Sequence, residues 1–303
     1  MEHQQHDEIK QITLYDVASG LKPQASSPST WRARYILNYK RLPYKTVYVS
    51  YPDIDALWIR LGLSPMDQGP NRPKTFLPVI SVPSEDGGPP SVIADSINIA
   101  IFLDAEYPDT PRVLPPNTRA LQIAFAQNVV ISTLAPAIFP FILPRMPATL
   151  DPRGAEYYKS TREKWFNIQL DEYYPRSPEA FQAQLDKIHG ALDVINRFLE
   201  YNRQEGMTVK VDGATSAMEA QNEWVMGSFG PTFADFGIGA LLLWVRIVCR
   251  DENETEATSG GTGESVAVRI GAGKNEVWEK IATWHGGRWA RLAQALEQWE
   301  TVD

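Results

Sequence analysis

Hydrophobic and polar positions alternate over the first third of the chain in a way that changes period several times. Ile12-Thr13-Leu14-Tyr15-Asp16-Val17 reads as a strand, and so does Lys45-Thr46-Val47-Tyr48-Val49-Ser50-Tyr51, where apolar and polar residues alternate. Between them Thr30 to Lys40 has helical spacing, and Ile54 to Leu61 is a short helical run. Phe76 to Val82 and Ser91 to Ala94 form a strand pair separated by Pro83-Ser84-Glu85-Asp86-Gly87-Gly88-Pro89-Pro90, which is strong turn chemistry. Ser96 to Tyr107 returns to helix, with Ile97, Ala100, Ile101 and Leu103 apolar. The predicted order is β-α-β-α-β-β-α.

The pattern breaks at Tyr107-Pro108-Asp109-Thr110-Pro111 and again at Pro115-Pro116-Asn117. Prolines end helices and mark linkers. Beyond them the chain predicts helices only, over 118–134, 155–173, 177–204, 232–250 and 274–300. The expected fold class is α/β plus all-α. A flexible N-terminus (1–10) precedes a mixed domain over 11–111, and an all-helical domain follows over 112–303. Two segments interrupt the helical part. Pro136, Pro140, Pro144 and Pro147 stud "APAIFPFILPRMP", and so no regular helix is expected through it. Residues 251–273, acidic and then rich in Gly, Ser and Thr, predict a flexible insertion.

Composition narrows the function. In 303 residues, 43% are hydrophobic, which suffices for a large core, and the formal charge of −8 argues against nucleic acid or an anionic membrane as partner. The apolar run from Phe236 to Cys249 is too short, and carries Arg246, to span a bilayer, which takes about 20 residues. The N-terminus has no apolar signal core. One cysteine, Cys249, rules out a disulfide within the chain and fits a reducing, cytoplasmic setting. Its place at the end of an apolar helix reads as structural rather than nucleophilic. His3 and His6 apart, the four histidines share no metal-ligand spacing, and no metal site is expected.

Several local motifs have a structural reading. Pro78, after Leu77, sits early in an apolar run, which suggests an edge strand, a cis bond at a strand start, or an ordinary loop proline. Asp95-Ser96 stands where a strand gives way to a helix; either residue serves as an N-cap, and the free N–H groups there also suit a carboxylate. Thr232-Phe233-Ala234-Asp235 is a capping box before an apolar run. Ser26-Ser27-Pro28-Ser29-Thr30 crowds hydroxyls at the start of the first helix, where Ser27 or Ser26 can cap it.

Taken in order, the β-α-β-α-β-β-α run, Pro78 at the third strand, Asp95-Ser96 after the fourth, "FLDAEYPDTPR", the Thr232–Asp235 box and the helical second domain resemble the glutathione transferase family. The stretches "SPSTWRARYILNYKRLPYKTVYVSYPDI" (27–54) and "WEKIATWHGGRWARL" (278–292) are most similar to fungal glutathione transferases related to bacterial β-etherases, an omega-like group with serine in place of cysteine. The resemblance implies a thioredoxin-like domain and glutathione as co-substrate. It implies that Ser27 faces the glutathione sulfur, with Ser26, Ser29 and Thr30 as neighbours able to share the role. It implies that Leu77, before Pro78, pairs with the cysteinyl backbone and that Asp95 and Ser96 bind the γ-glutamyl group. Lys74 is the implied partner of the glycyl carboxylate, with Arg72 as alternative. The implied activity is conjugation of hydrophobic, aromatic electrophiles or β-aryl ether cleavage, in detoxification. The alternative is a ligandin-type protein that binds aromatic compounds such as polyphenols without turnover. A homodimer is also implied. Phe139, Phe141 and Trp31 are candidates for an aromatic wall of the second-substrate pocket.

Overall fold

A computed structural model describes residues 10–67, 69, 72–202, 223–250 and 274–303. The expected tail before Lys10 and the 251–273 insertion lie outside the described residues. Four strands, β1 (Ile12–Val17), β2 (Tyr44–Val49), β3 (Val79–Val82) and β4 (Ser91–Ala94), form one sheet in the order β2-β1-β3-β4. β1 runs parallel to β2 and antiparallel to β3, and β3 antiparallel to β4. The parallel pair needs a crossover, and helix α1 (Pro28–Tyr39) supplies it. The period of two sorts the strands onto two faces. Ile12, Leu14, Ile80 and Val82 join the main core with α1 and α3 (Ser96–Glu106). Val17 and Val79 meet Leu57 and Trp58 of α2 (Ile54–Arg60) on the other face.

Buried charges fix α1 against its neighbours. Arg34 Nη2 lies 2.9 Å from Asp16 Oδ2 with both side chains out of solvent. Lys40 Nζ lies 2.9 Å from Asp104 Oδ1, and the Asp104 carboxylate also accepts the Val113 and Leu114 amides. That carboxylate thus ties α1, α3 and the start of the helical domain together. Each charge is paired and hydrogen-bonded, the condition under which burial is tolerated.

The second part of the chain is helical: α4 (Arg119–Ala124), a π-helical segment (Phe125–Ile131), α5 (Ser132–Ile142), α6 (Pro152–Phe166), α7 (Leu170–Tyr173), α8 (Pro178–Glu200), α9 (Phe233–Val248) and α10 (Glu276–Leu296). Every residue of α9 is buried. Its Phe236 stacks on Tyr35 of α1 with ring centroids 5.5 Å apart, so the main core is continuous across both parts. The capping box starts α9: the Thr232 N–H and hydroxyl donate to Asp235 Oδ2 at 2.8 and 2.7 Å.

The proline-rich stretch departs from expectation. α5 runs as a helix through Pro136 and Pro140, and only Pro144 and Pro147 lie beyond its end. A proline removes one donor and crowds the preceding turn. Here burial outweighs that cost, because Leu134, Ile138, Phe141 and Ile142 are all buried in the core. Side chains also serve the local carbonyls: Gln184 Nε2 donates to Ala137 O at 2.6 Å and Arg145 Nη1 to Phe141 O at 2.8 Å. The segment from Arg119 to Ile142 is, by length and composition, apolar enough to cross a membrane. Its α5 part packs against α8 and α9. Two further predicted helices are interrupted. Asn167, left-handed at φ 52, separates α6 from α7, and His285, Gly286 and Gly287, all at positive φ, kink α10.

Candidate active site

Ser27 is the N-cap of α1, extended at φ −72 and ψ 121, with Pro28 at the first helical position. Proline suits that place because the missing N–H would have had no helical partner. The Ser27 hydroxyl accepts from the Thr30 N–H at 3.5 Å, a long contact that only weakly engages it. Ser27 faces a cleft of about 560 Å³ between the two parts of the chain. Of the neighbouring hydroxyls, Ser29 also lines this cleft, whereas Ser26 and Thr30 are fully buried behind it.

The bond between Leu77 and Pro78 is cis, and Leu77 lines the cleft at the entry to β3. The Pro78 carbonyl accepts the Asp95 amide at 3.1 Å. Asp95 has φ 77 and ψ 132, an uncommon conformation for a residue with a side chain, and caps α3 through its carboxylate, which accepts the Ile97 N–H at 2.7 Å. Ser96 is buried at the first turn of α3. Neither Asp95 nor Ser96 is part of the cleft wall, nor is Pro78. Lys74 points to solvent, and its carbonyl accepts the Met66 amide. Arg72, the alternative to Lys74, does line the cleft.

Residues that the sequence did not single out complete the site. Arg32, one turn into α1, lines the cleft beside Ser27. Its Nη2 reaches Ser29 Oγ at 3.5 Å, while Nη1 is buried with no partner. Burial lowers the Arg32 guanidinium from its ordinary value, and the charge of Asp95 acts the other way. The far wall comes from the helical part: Phe139 of α5, Phe166 of α6 and Trp244 of α9 all face it. Phe139 packs on Phe166 at 5.3 Å and on Trp244 at 6.4 Å between centroids. Of the three aromatic candidates from sequence, only Phe139 lines the cleft. Phe141 is fully buried against Phe181, and Trp31 is buried with its indole N–H on Ala25 O at 3.1 Å.

The arrangement is a polar end built from helix and strand termini of the first part, facing an aromatic end built from the second. A helix N-terminus and an adjacent hydroxyl stabilise an anion, and a thiolate is one such anion. Sequence profiles of the glutathione S-transferase N-terminal domain and of the glutathione S-transferase C-terminal domain match residues 26–106 and 120–267. The glutathione S-transferase-like protein ustS of Aspergillus flavus is 30% identical over 297 residues, 96% of this chain and 97% of that one. The chain belongs to the glutathione S-transferase family. Solved structures of fungal glutathione S-transferases superpose along the whole length. CsGST63524 of Ceriporiopsis subvermispora, in complex with glutathione, has a TM-score of 0.77 at 30% identity, covering 97% of this chain and 99% of its own. GSTFuA3 of Phanerochaete chrysosporium has a TM-score of 0.75 at 30% identity, covering 98% and 100%. The first domain is therefore thioredoxin-like and the second is the helical domain of this family. Cys249, 4% exposed, has a thiol pushed up to about 12 by burial and does not line the cleft.

Proposed function

We propose that this family member is a serine-type glutathione transferase that joins glutathione to hydrophobic, aromatic electrophiles, with β-aryl ethers among them. On this reading residues 11–111 hold glutathione and residues 112–303 complete the pocket for the electrophile. The observation that carries the reading is the shared placement of Ser27, at the N-terminus of α1, and Leu77, before the cis bond, on one cleft with an aromatic far wall.

A free thiol has a pKa of about 8.5, and so little thiolate is present at neutral pH. The Ser27 hydroxyl, weakly engaged by the helix, donates to the sulfur, and the positive end of α1 adds to the field. The Leu77 backbone pairs with the cysteinyl residue. At the N-terminus of α3, outside the cleft wall, Asp95 and Ser96 receive the γ-glutamyl group. Arg72, facing the cleft, takes the glycyl carboxylate in place of Lys74, and the unpartnered Arg32 Nη1 offers a further donor to an anion. The thiolate gives its electron pair to the electrophilic carbon and a C–S bond forms. The leaving group departs with its bonding pair, and the thiol proton goes to solvent. Serine forms no mixed disulfide with glutathione, so thiol–disulfide chemistry is not part of this site. The fungal neighbour crystallised with glutathione supports glutathione as co-substrate. The setting is cytoplasmic and the working unit a homodimer.

A ligandin-type role is the second reading, favoured by the Phe139–Phe166–Trp244 wall, which offers aromatic surface without any reacting group. Steady-state conjugation of glutathione to 1-chloro-2,4-dinitrobenzene separates the two. Turnover well above the uncatalysed rate supports the transferase. Glutathione binding without turnover of this or a β-aryl ether substrate leaves the ligandin.

A further inference from the structure

The cleft wall carries three arginines, Arg32, Arg72 and Arg162, and no Asp, Glu, Lys or His among the described residues. This is an unexpected charge balance in a chain of formal charge −8. Glutathione accounts for positive charge at the Ser27 end. It does not account for Arg162, which stands on α6 in the helical domain, among other rings that line the cleft.

Arg162 is held in an unusual way. Its guanidinium carbon lies 4.1 Å from the Tyr158 ring centroid, 4.5 Å from Trp165 and 4.7 Å from Tyr51. Three rings fix its plane by cation–π contact. Tyr51 comes from the first domain and stacks on Tyr157 at 6.4 Å, so the residues around Arg162 come from both domains. Its Nη1 donates to Thr161 Oγ1 at 3.0 Å, a side-chain hydrogen bond also links it to Tyr158, and no carboxylate pairs with it among the described residues. A guanidinium has five N–H donors in a fixed fork that matches a carboxylate. Here that fork is oriented by rings and left without an anion, beside aromatic surface.

We propose that Arg162 is the anion anchor of the second-ligand half of the cleft, and that the preferred second ligand is an aromatic compound bearing a carboxylate. The ring of such a ligand packs on Phe139, Phe166 and Trp244 while its carboxylate pairs with Arg162. This rests on the proposed transferase reading for the role of the ligand as electrophile, but the recognition itself does not depend on turnover.

The test uses an inert matched pair, 3,5-dinitrobenzoate and 3,5-dinitrobenzamide, titrated calorimetrically into the protein saturated with S-methylglutathione. The expected result is at least tenfold tighter binding of the carboxylate. Arg162→Gln brings carboxylate binding down to the level of the amide, whereas Arg72→Gln keeps the preference. If Arg162→Gln fails to fold by circular dichroism, Arg162→Met keeps packing against the rings without the charge and gives the same readout. Equal binding of the two probes by the wild type, binding of neither, or a preference that survives in the Arg162 variant overturns the proposal. The titration of S-methylglutathione alone is a separate arm. Its failure sinks the glutathione reading, and the probe pair is then titrated without it and still decides the role of Arg162.

Discussion

The Asp95 amide donates to the Pro78 carbonyl at 3.1 Å. This single bond couples the N-terminus of α3 to the cis peptide that opens β3. Asp95 sits beside it at φ 77, a conformation that persists only where the surroundings impose it. One carboxylate oxygen accepts the Ile97 N–H, and the charge acts on Arg32 against the lowering that burial imposes on its guanidinium.

Asp95 therefore has two separable roles, cap and charge. Asp95→Asn keeps a side-chain oxygen for the cap and removes the charge. It is expected to leave the melting temperature nearly unchanged while weakening glutathione binding about tenfold or more by isothermal titration. Asp95→Ala loses both, with about 1 kcal/mol less stability from the cap alone. Equal glutathione affinity in all three proteins would remove Asp95 from the site.

The Ser27 cap is long at 3.5 Å, so its deletion costs the fold little. Ser27→Ala is expected to lose less than about 1 kcal/mol in urea unfolding and to lower kcat/KM for conjugation at least tenfold. Ser27→Cys places a thiol at a helix N-terminus, which favours its thiolate. This variant is expected to gain glutathione-dependent disulfide reduction, read by a coupled glutathione reductase assay.

Asp235 gives a pH signature. Burial outweighs its hydrogen bonds from Thr232 and Val225 and raises its carboxyl from 3.8 to about 6. A carboxyl with a raised folded pKa binds its proton more tightly in the folded state. Its contribution is fully present below the unfolded value and is lost as pH rises through about 6. The shift of about two units corresponds to roughly 3 kcal/mol. Unfolding free energies of the wild type relative to Asp235→Asn, measured from pH 4 to 7, should fall with rising pH and level off above pH 6. A difference that rises with pH would contradict the assignment.

Cys249 should be silent in the native protein. Its Sγ sits 3.9 Å from Phe141 O, and burial pushes the thiol up to about 12. Ellman's reagent at pH 7.5 is expected to label no thiol in the folded chain and one after denaturation. Rapid native labelling would mean that the end of α9 opens.

Where local chemistry decides the structure, the sequence is legible. The succession of strands and helices along the first domain, the Thr232 box and the end of α3 before Pro108 follow from side-chain period, capping and proline geometry, all of which act over a few residues. The helix through Pro136 and Pro140 was not legible, because its support comes from tertiary partners such as Gln184, 47 positions from the Ala137 carbonyl it serves. The arginines of the cleft were hidden for a related reason. Arg32 and Arg162 look like ordinary exposed helix charges until the packing of two domains brings them to one cleft. Arg72 and Lys74 differ by two positions and are both exposed, and only the path of the loop before β3 brings the first onto the cleft. Among the aromatic candidates, the direction each ring takes from its helix separates Phe139 from Phe141.

On the proposed reading, Ser27 and the α1 N-terminus hold glutathione as its thiolate. Thiolate absorbance near 240 nm, followed from pH 5 to 10 with glutathione bound, tests it most directly. Bound glutathione is expected to titrate at least one unit below the free thiol's value of about 8.5, and Ser27→Ala to move it back toward that value. A bound thiol that titrates like free glutathione, or an unchanged titration in Ser27→Ala, would contradict it.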